Sequence, residues 1–141
     1  MTLVYAVTPL ITWTLVGPIK FLINSMRTRR WAFDLIGNGG FPSNHSAVVT
    51  SMATMIALRE GISHPAFGIA VTLAVIVIID ANSLRQHVGK HAQHINVLNT
   101  ANAGSVERKP LRERMGHTKI EICGGIATGI LIALAISRLL P

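Results

Sequence analysis

The chain is poor in charge, in acids above all, and in cysteine. Of its 141 residues only 13% are charged, six acidic against 13 basic, and there is a single cysteine. Half of the residues are hydrophobic and the mean hydropathy is +0.47, which excludes an ordinary soluble domain and implies a membrane protein. The lone Cys123 excludes an internal disulfide framework, and its position in an apolar run predicts a buried packing residue. No basic segment precedes the first apolar run and no small-residue cleavage pattern follows it, so that run is expected to be a retained helix rather than a signal peptide. No repeat or composition break divides the chain, and residues 1–141 read as one domain.

What is present is a set of four apolar blocks, 3–21, 47–58, 65–81 and 120–140. The first and last are long enough to span a bilayer, whereas the middle two reach that length only if flanking residues such as Ser43 and Ser46 enter the interface. The expected fold is all-α, a polytopic membrane helix bundle of about four spans plus an amphipathic interfacial helix. That last helix is read from Leu84, Val88, Ala92, Ile95 and Leu98, a stripe that would lie on the bilayer or against the bundle. Gly17-Pro18 is expected to bend or end the first span. Gly125 and Gly129 form a GxxxG pair, a pattern for close packing inside the bundle or in a homodimer. The small, polar stretch 99–104 and Pro110 predict a flexible loop before the last span.

The net charge of +7 fits an anionic partner, but its distribution argues against nucleic acid. Arg27, Arg29 and Arg30 follow the first span, while Lys90, Arg108, Lys109, Arg112, Arg114 and Lys119 lie between the third and fourth. With four spans these loops share one side, which the positive-inside rule makes cytoplasmic, leaving both termini and the 59–65 loop outside. The expected location is therefore an integral membrane one, the cytoplasmic membrane if the source is bacterial, with the bilayer itself as a partner.

The residues able to do chemistry gather where those basic loops meet the spans. Gly39-Gly40-Phe41-Pro42-Ser43-Asn44-His45-Ser46 sets a histidine where a helix begins, so unpaired N–H groups and the helix dipole face an anion and His45 can move a proton. The competing reading is a plain N-cap at Ser43 or Asn44. Gly37, Gly39 and Gly40 around Asn38 permit close backbone approach to a ligand. Lys20 emerges near the interface, where snorkelling is the commoner role. Asp80 ends the third span and calls for a basic partner, Arg85 or another, as a functional group or as a packing ion pair. His87, His91 and His94 share a helix face at metal-like spacing, but no carboxylate or thiolate joins them, so a solvated face is preferred and no metal is assigned. His64, in the short outer loop, is assigned no role. Glu121 follows His117 by one helical turn and can accept one ring N–H, freeing the other nitrogen as a nucleophile. Thr118 to Glu121 also fits a capping box, and one carboxylate is not expected to serve both purposes.

Lys20 with Arg27, Pro42-Ser43-Asn44-His45, and His117 with Glu121 resemble the three phosphate-site motifs of the superfamily that joins type 2 phosphatidic acid phosphatases to vanadium haloperoxidases. Together with Asp80 and Arg85, Gly89-Lys90 and Gly116-His117-Thr118, they are similar to its small, divergent membrane branch over nearly the whole chain. The resemblance implies a metal-independent, cofactor-free phosphatase acting on a phosphomonoester or pyrophosphate of a phospholipid or prenyl lipid. It casts His117 as the nucleophile that forms a phosphohistidine, Glu121 as its orienting acid and His45 as the proton donor to the leaving oxygen. Asp80 is grouped with these, and Lys20, Arg27, Ser43, Asn44, Arg85 and Lys90 would hold the phosphate.

Several positions depart from the superfamily pattern. Thr28 replaces the proline after Arg27, Asn44 replaces a glycine, and Glu121 replaces an aspartate. The arginine expected six residues before the third-motif histidine is Leu111, with Arg112 and Arg114 close by and Arg85 as the expected substitute. Two other functions fit the composition: a non-catalytic protein that binds anionic lipid headgroups, and a histidine-based metal-binding or transport protein. The topology predicts that tags on both termini of the protein in cells are reached by a membrane-impermeant label; a protected N-terminus would invert the proposed orientation.

Overall fold

A computed structural model describes residues 3–31, 40–101 and 109–140. The expected Gly37-Asn38-Gly39 approach and Arg108 fall outside them. Helix α1 is Leu3–Thr28, α2 Asn44–Arg59, α3 Pro65–Ile79, α4 Arg85–Ala101 and α5 Lys119–Leu139, with a π-helical turn, Asp80–Leu84, fusing α3 to α4. The all-helical membrane bundle is as expected, and no strand occurs among the described residues. Three helices are long and apolar enough to cross a membrane: α1, the continuous Pro65–Ala101 rod, and α5.

The fourth, α2, has 16 residues, about 24 Å of rise against a hydrocarbon core of about 30 Å. It packs against α1, α3 and α5, and its buried residues are mostly small: Ser46, Ala47, Ser51 and Ala53, beside Met55 and Ile56. Ser43 at its start meets Glu121 and Gly125, Ala47 meets Gly129, and Arg59 at its end meets Ser137 and Leu140. The two helices therefore run parallel along nearly the full length of α5. This helix needs no long apolar face because its neighbours, rather than lipid, surround it.

Glycine makes the parallel contact close. A Cβ on Gly129 would lie 3.0 Å from Ala47 Cα, and one on Gly125 would lie 2.9 Å from Ser46 Cβ, so the GxxxG pair serves packing inside the bundle, and α2 of the same chain occupies that face. Val16, Ala47, Met55, Ile132 and Ile136 form the core between α1, α2 and α5, while Ala53, Ile56 and Ala70 join α2 to α3. From α1 only Thr8, Thr12 and Val16 are buried, a stripe at four-residue spacing. Its hydroxyls are satisfied within the helix, Thr8 donating to Val4 O at 2.7 Å and Thr12 to Thr8 O at 2.8 Å. Leu10, Trp13, Ile69, Ile76 and Leu131 point outward, as a lipid-covered surface requires.

Some local expectations are narrowed or revised. Of the two outcomes expected at Gly17-Pro18, a bend or an end, the end does not occur, since α1 continues to Thr28. Cys123 is exposed on the outer face of α5 rather than buried. Residues 99–101 are still helical rather than loop, and 102–108 lie outside the described residues. Of the two places expected for the apolar stripe of α4, on the bilayer or against the bundle, its exposure at Leu84, Val88, Ile95 and Leu98 fits the first, although Ala92 is buried; the protein-facing stripe is Asn82, Gln86, Gly89, Ala92 and Asn96, which meets the extended segment 109–117.

Both ends of the bundle are marked by polar contacts. At one end Tyr5 OH donates to Glu60 and the Arg59 guanidinium donates to the carbonyls of Ser137 and Leu140, where a cation suits a helix C-terminus. His64, given no role from sequence, is the N-cap of α3, accepting from Ala66 N–H at 3.2 Å. The termini and the 59–65 loop thus share an end, and the basic segments around Arg27 and Arg112 share the other. Gly129→Ala is expected to destabilise the protein by about 1–3 kcal/mol through overpacking, whereas Gly68→Ala, with open space at its Cβ, is expected to be neutral or slightly stabilising. Thermal unfolding of both variants in detergent checks the difference.

Candidate active site

The site forms where α2 and α5 begin. Ser43 is the N-cap of α2: its hydroxyl oxygen accepts from Ser46 N–H at 3.4 Å and from Ser46 Oγ–H at 3.1 Å. Its own N–H donates to Glu121 O at 2.9 Å, tying the first turn of one helix to that of the other. Ser43 is fully buried in this joint, so it acts as a cap facing α5 rather than lining a cleft. Asn44 and His45 follow it, and the buried Asn44 Oδ1 and His45 Nδ1 have no hydrogen-bond partner among the described residues.

His117 stands opposite His45, with ring centroids 5.7 Å apart and planes at 60°. Its main chain is held on both sides by the rod made of α3, the π turn and α4: His117 N–H donates to Ala81 O at 2.9 Å and Gln86 Nε2 donates to His117 O at 3.3 Å. Gly116 has φ of +88°, and a Cβ there would lie 2.9 Å from Gln86 Cγ, so both its backbone angle and the close approach favour glycine. The imidazole is 6% exposed and its Nδ1 lies 3.0 Å from Glu121 Oε2. A carboxylate only accepts, so Nδ1 carries the proton and Nε2 keeps its lone pair.

The same Oε2 also accepts Thr118 N–H at 3.0 Å, while Glu121 N–H donates to Thr118 Oγ1 at 3.3 Å. The capping box and the histidine contact therefore coexist, contrary to the expectation from sequence. One oxygen offers two lone-pair directions, and the two N–H groups approach it from neighbouring residues, so no second rotamer is needed. Burial pushes the His117 imidazole below its usual value of 6.5, the Glu121 hydrogen bond opposes this, and Lys20 and Arg85 lower it further.

Asp80 and Arg85 are paired, Oδ2 to Nε at 3.4 Å, with both side chains 40% exposed. Residues five apart diverge on an α-helix; the π turn between them, with Arg85 N–H bonded to Asp80 O, returns them to one face. Arg85, Asp80 and Lys20 all lie within electrostatic reach of His45. Lys20 also passes close to Gly40, where a Cβ would sit 3.2 Å from its Cε. Lys90 is exposed on α4 and does not line the cleft below. His87, His91 and His94 are exposed too, and no group of three or more potential metal ligands occurs among the described residues.

Beside Glu121 opens a cleft of about 500 Å³, lined by Arg27, Arg112 and Arg114 together with Asn24, Thr28, Gly40, Thr118 and Glu121. Lys20, Asn24 and Arg27 recur at four and three residues, so this stripe of α1 was readable as one face. The part that sequence reasoning missed is the far wall. There Asn96 of α4 pairs with the main chain of Leu111, donating to its carbonyl at 2.8 Å and accepting its N–H at 2.8 Å, and it donates to Glu113 Oε1 at 2.9 Å. Asn82, Gln86 and Asn96 at helical spacing were the available signal.

The described residues thus form a small helical membrane bundle with two facing histidines and, beside Glu121, an arginine-lined cleft. A family model described as the Divergent PAP2 family, PAP2 being the type 2 phosphatidic acid phosphatases, matches residues 3–132, and the chain belongs to that family. A relative from Bacillus subtilis (strain 168), "Uncharacterized membrane protein YuiD", is 35% identical over 133 residues, covering 85% of this chain and 82% of that one. No solved structure matches the chain significantly. The site geometry predicts that His117, followed by histidine NMR in detergent, takes up its second proton below pH 6.5. Glu121→Gln, which keeps the cap but removes the charge that favours the imidazolium, is expected to move that titration lower still; an unchanged or higher midpoint contradicts the contact.

Proposed function

We propose that the protein is an integral membrane lipid phosphatase that hydrolyses a phosphomonoester or pyrophosphate of a phospholipid or prenyl lipid through a phosphohistidine. The observation that carries this reading is the pair of facing imidazoles, one of them oriented by Glu121. His117 Nε2 attacks phosphorus, and the developing positive charge on the ring is stabilised by the carboxylate at Nδ1. His45 gives a proton to the leaving oxygen, its imidazolium form favoured by the adjacent phosphate dianion. Water, activated by the now neutral His45, then attacks the phosphohistidine and releases inorganic phosphate. Lys20 and Arg85 flank the imidazoles and neutralise the transferring group, with Asp80 holding Arg85. In this role Arg85 replaces the arginine absent at Leu111. Under the positive-inside rule this chemistry faces the cytoplasm.

A second reading, binding of anionic lipid headgroups without turnover, is favoured by the three arginines of the cleft, which would serve it equally well. Purified protein assayed in chelator against phospholipid and prenyl phosphates separates the two. Expected are phosphate release, an acid-labile phosphoprotein in quenched reactions, loss of both in His117→Ala, and a fall of about 10²–10⁴-fold in release for His45→Ala. Arg85→Ala is expected to cost about ten- to a hundredfold, the worth of a hydrogen bond to a charged group. Headgroup binding without any release would support the second reading, and wild-type rates in Arg85→Ala would remove Arg85 from the phosphate site.

A further inference from the structure

We infer that the π turn Asp80–Leu84, together with Gln86, is the positioning element of the nucleophile: it holds the main chain of His117 so that the imidazole stays on Glu121, and Arg85 leaves from the same turn. This rests on the hydrolase reading above. In an unbroken α-helix the N–H of Arg85 would donate to the carbonyl of Ala81, four residues back. The π turn gives that N–H to Asp80 O instead, so Ala81 O loses its ladder partner and needs a donor from outside the helix. Ala81 is fully buried, and its carbonyl accepts His117 N–H at 2.9 Å. The extra residue in the rod is thus matched to the segment that leads into α5.

Side chains complete the clamp. The amide nitrogen of Gln86 has two hydrogens. It donates to Asn82 Oδ1 at 3.1 Å, one turn back on the rod, and to His117 O at 3.3 Å. Asn82 thereby orients the amide that holds His117, and both main-chain polar groups of His117 are bound by the stretch from Ala81 to Gln86. Further along, a Cβ on Gly89 would collide with Glu113 O, and Asn96 grips Leu111, so the segment reaches His117 already aligned. Glu121 anchors the ring at Nδ1, and the direction of the lone pair on Nε2 depends further on where the main chain places Cβ. Arg85 pairs with Asp80 across the same turn. The attacking nitrogen and the arginine assigned to phosphate are therefore set relative to each other by one short piece of backbone, which is the kind of alignment that accelerates a transfer. An α-helical turn in its place would return Ala81 O to Arg85 N–H and rotate Arg85 away from Asp80.

The test uses the full-length protein in detergent with isotope-labelled histidine, read by nitrogen NMR, and the phosphate-release assay. Gln86→Met keeps the length of the side chain and removes both donors. Gln86 is exposed, so its replacement leaves the core intact; Gln93→Met, also exposed on α4, is the control. Above the usual imidazole value of 6.5, wild-type His117 is expected as the Nδ1–H tautomer, and Gln86→Met to move it toward the mixture of a free imidazole, in which Nε2–H predominates. In the same variant kcat is expected to fall about tenfold to a hundredfold with little change in KM, because orientation rather than substrate binding is lost. Gln93→Met is expected to change neither readout. A wild-type tautomer in Gln86→Met, or a loss seen in KM rather than kcat, overturns the inference and leaves the hydrolase reading intact. The tautomer shift in a protein whose wild type releases phosphate from no lipid overturns the hydrolase reading and leaves the clamp on His117 standing.

Discussion

The close parallel contact between α2 and α5 is the constraint on which the rest depends. Gly125 and Gly129 let the backbone of α2 approach until Ser43 and Ala47 lie against them, and the Ser43 N–H bond to Glu121 O fixes the register. In a bilayer there is little hydrophobic gain from helix association, so close van der Waals packing between small residues has to supply it. Because the same first turns carry His45 and Glu121, packing register and site geometry are one variable. A slip of one turn along α5 would move Glu121 about 5 Å relative to α2 and separate the two imidazoles.

The same logic governs where hydrophobicity is placed. Lipid-facing surfaces carry large apolar side chains, and protein-facing stripes carry small or polar ones: Thr8 and Thr12 on α1, Ser43 to Ala53 on α2, Asn82 to Asn96 on the α3–α4 rod. This inverts the soluble-protein rule that an apolar stripe marks the buried face. It explains how α2, less apolar than α1, α3 and α5, can be the central helix, and why side-chain amides on α4, rather than leucines, grip the segment leading into His117.

The fold class, the helix count and the pairing of basic loops at one end were legible in the sequence, since block length, charge position and the GxxxG pair report directly on membrane packing. Lys20 with Arg27 was legible as a pair on one helix, and His117 with Glu121 as a turn. What sequence missed has a common physical cause. The α4 stripe alone could not say whether it met lipid or protein, and Cys123 was judged by its apolar neighbours. Arg85 was named as a partner for Asp80, but the π turn that returns the two to one face is announced by no side-chain period. The dual use of Glu121 depends on where two N–H groups converge, a matter of ångströms rather than residue types, and the grip of Asn96 on Leu111 bridges a tertiary contact between a helix and an extended segment.

The scarcity of acids takes on a meaning in this light. Helices α2 and α5 run parallel, so both positive dipole ends open at the same end of the bundle, where Lys20, Arg27, Arg85, Arg112 and Arg114 also gather. Acids enough to neutralise them would make that end stable without ligand and would compete for the arginines. The described acids at that end each position a neighbour or are themselves held in place. Asp80 holds Arg85, Glu113 is held by Asn96, and Glu121 caps α5 and orients His117. Among the described residues this leaves residual positive charge, and an anion bound there would offset the electrostatic cost of assembling it. A site built this way is organised before its ligand arrives, which is the condition under which fixed charges and dipoles act on a transferring phosphoryl group without reorganising.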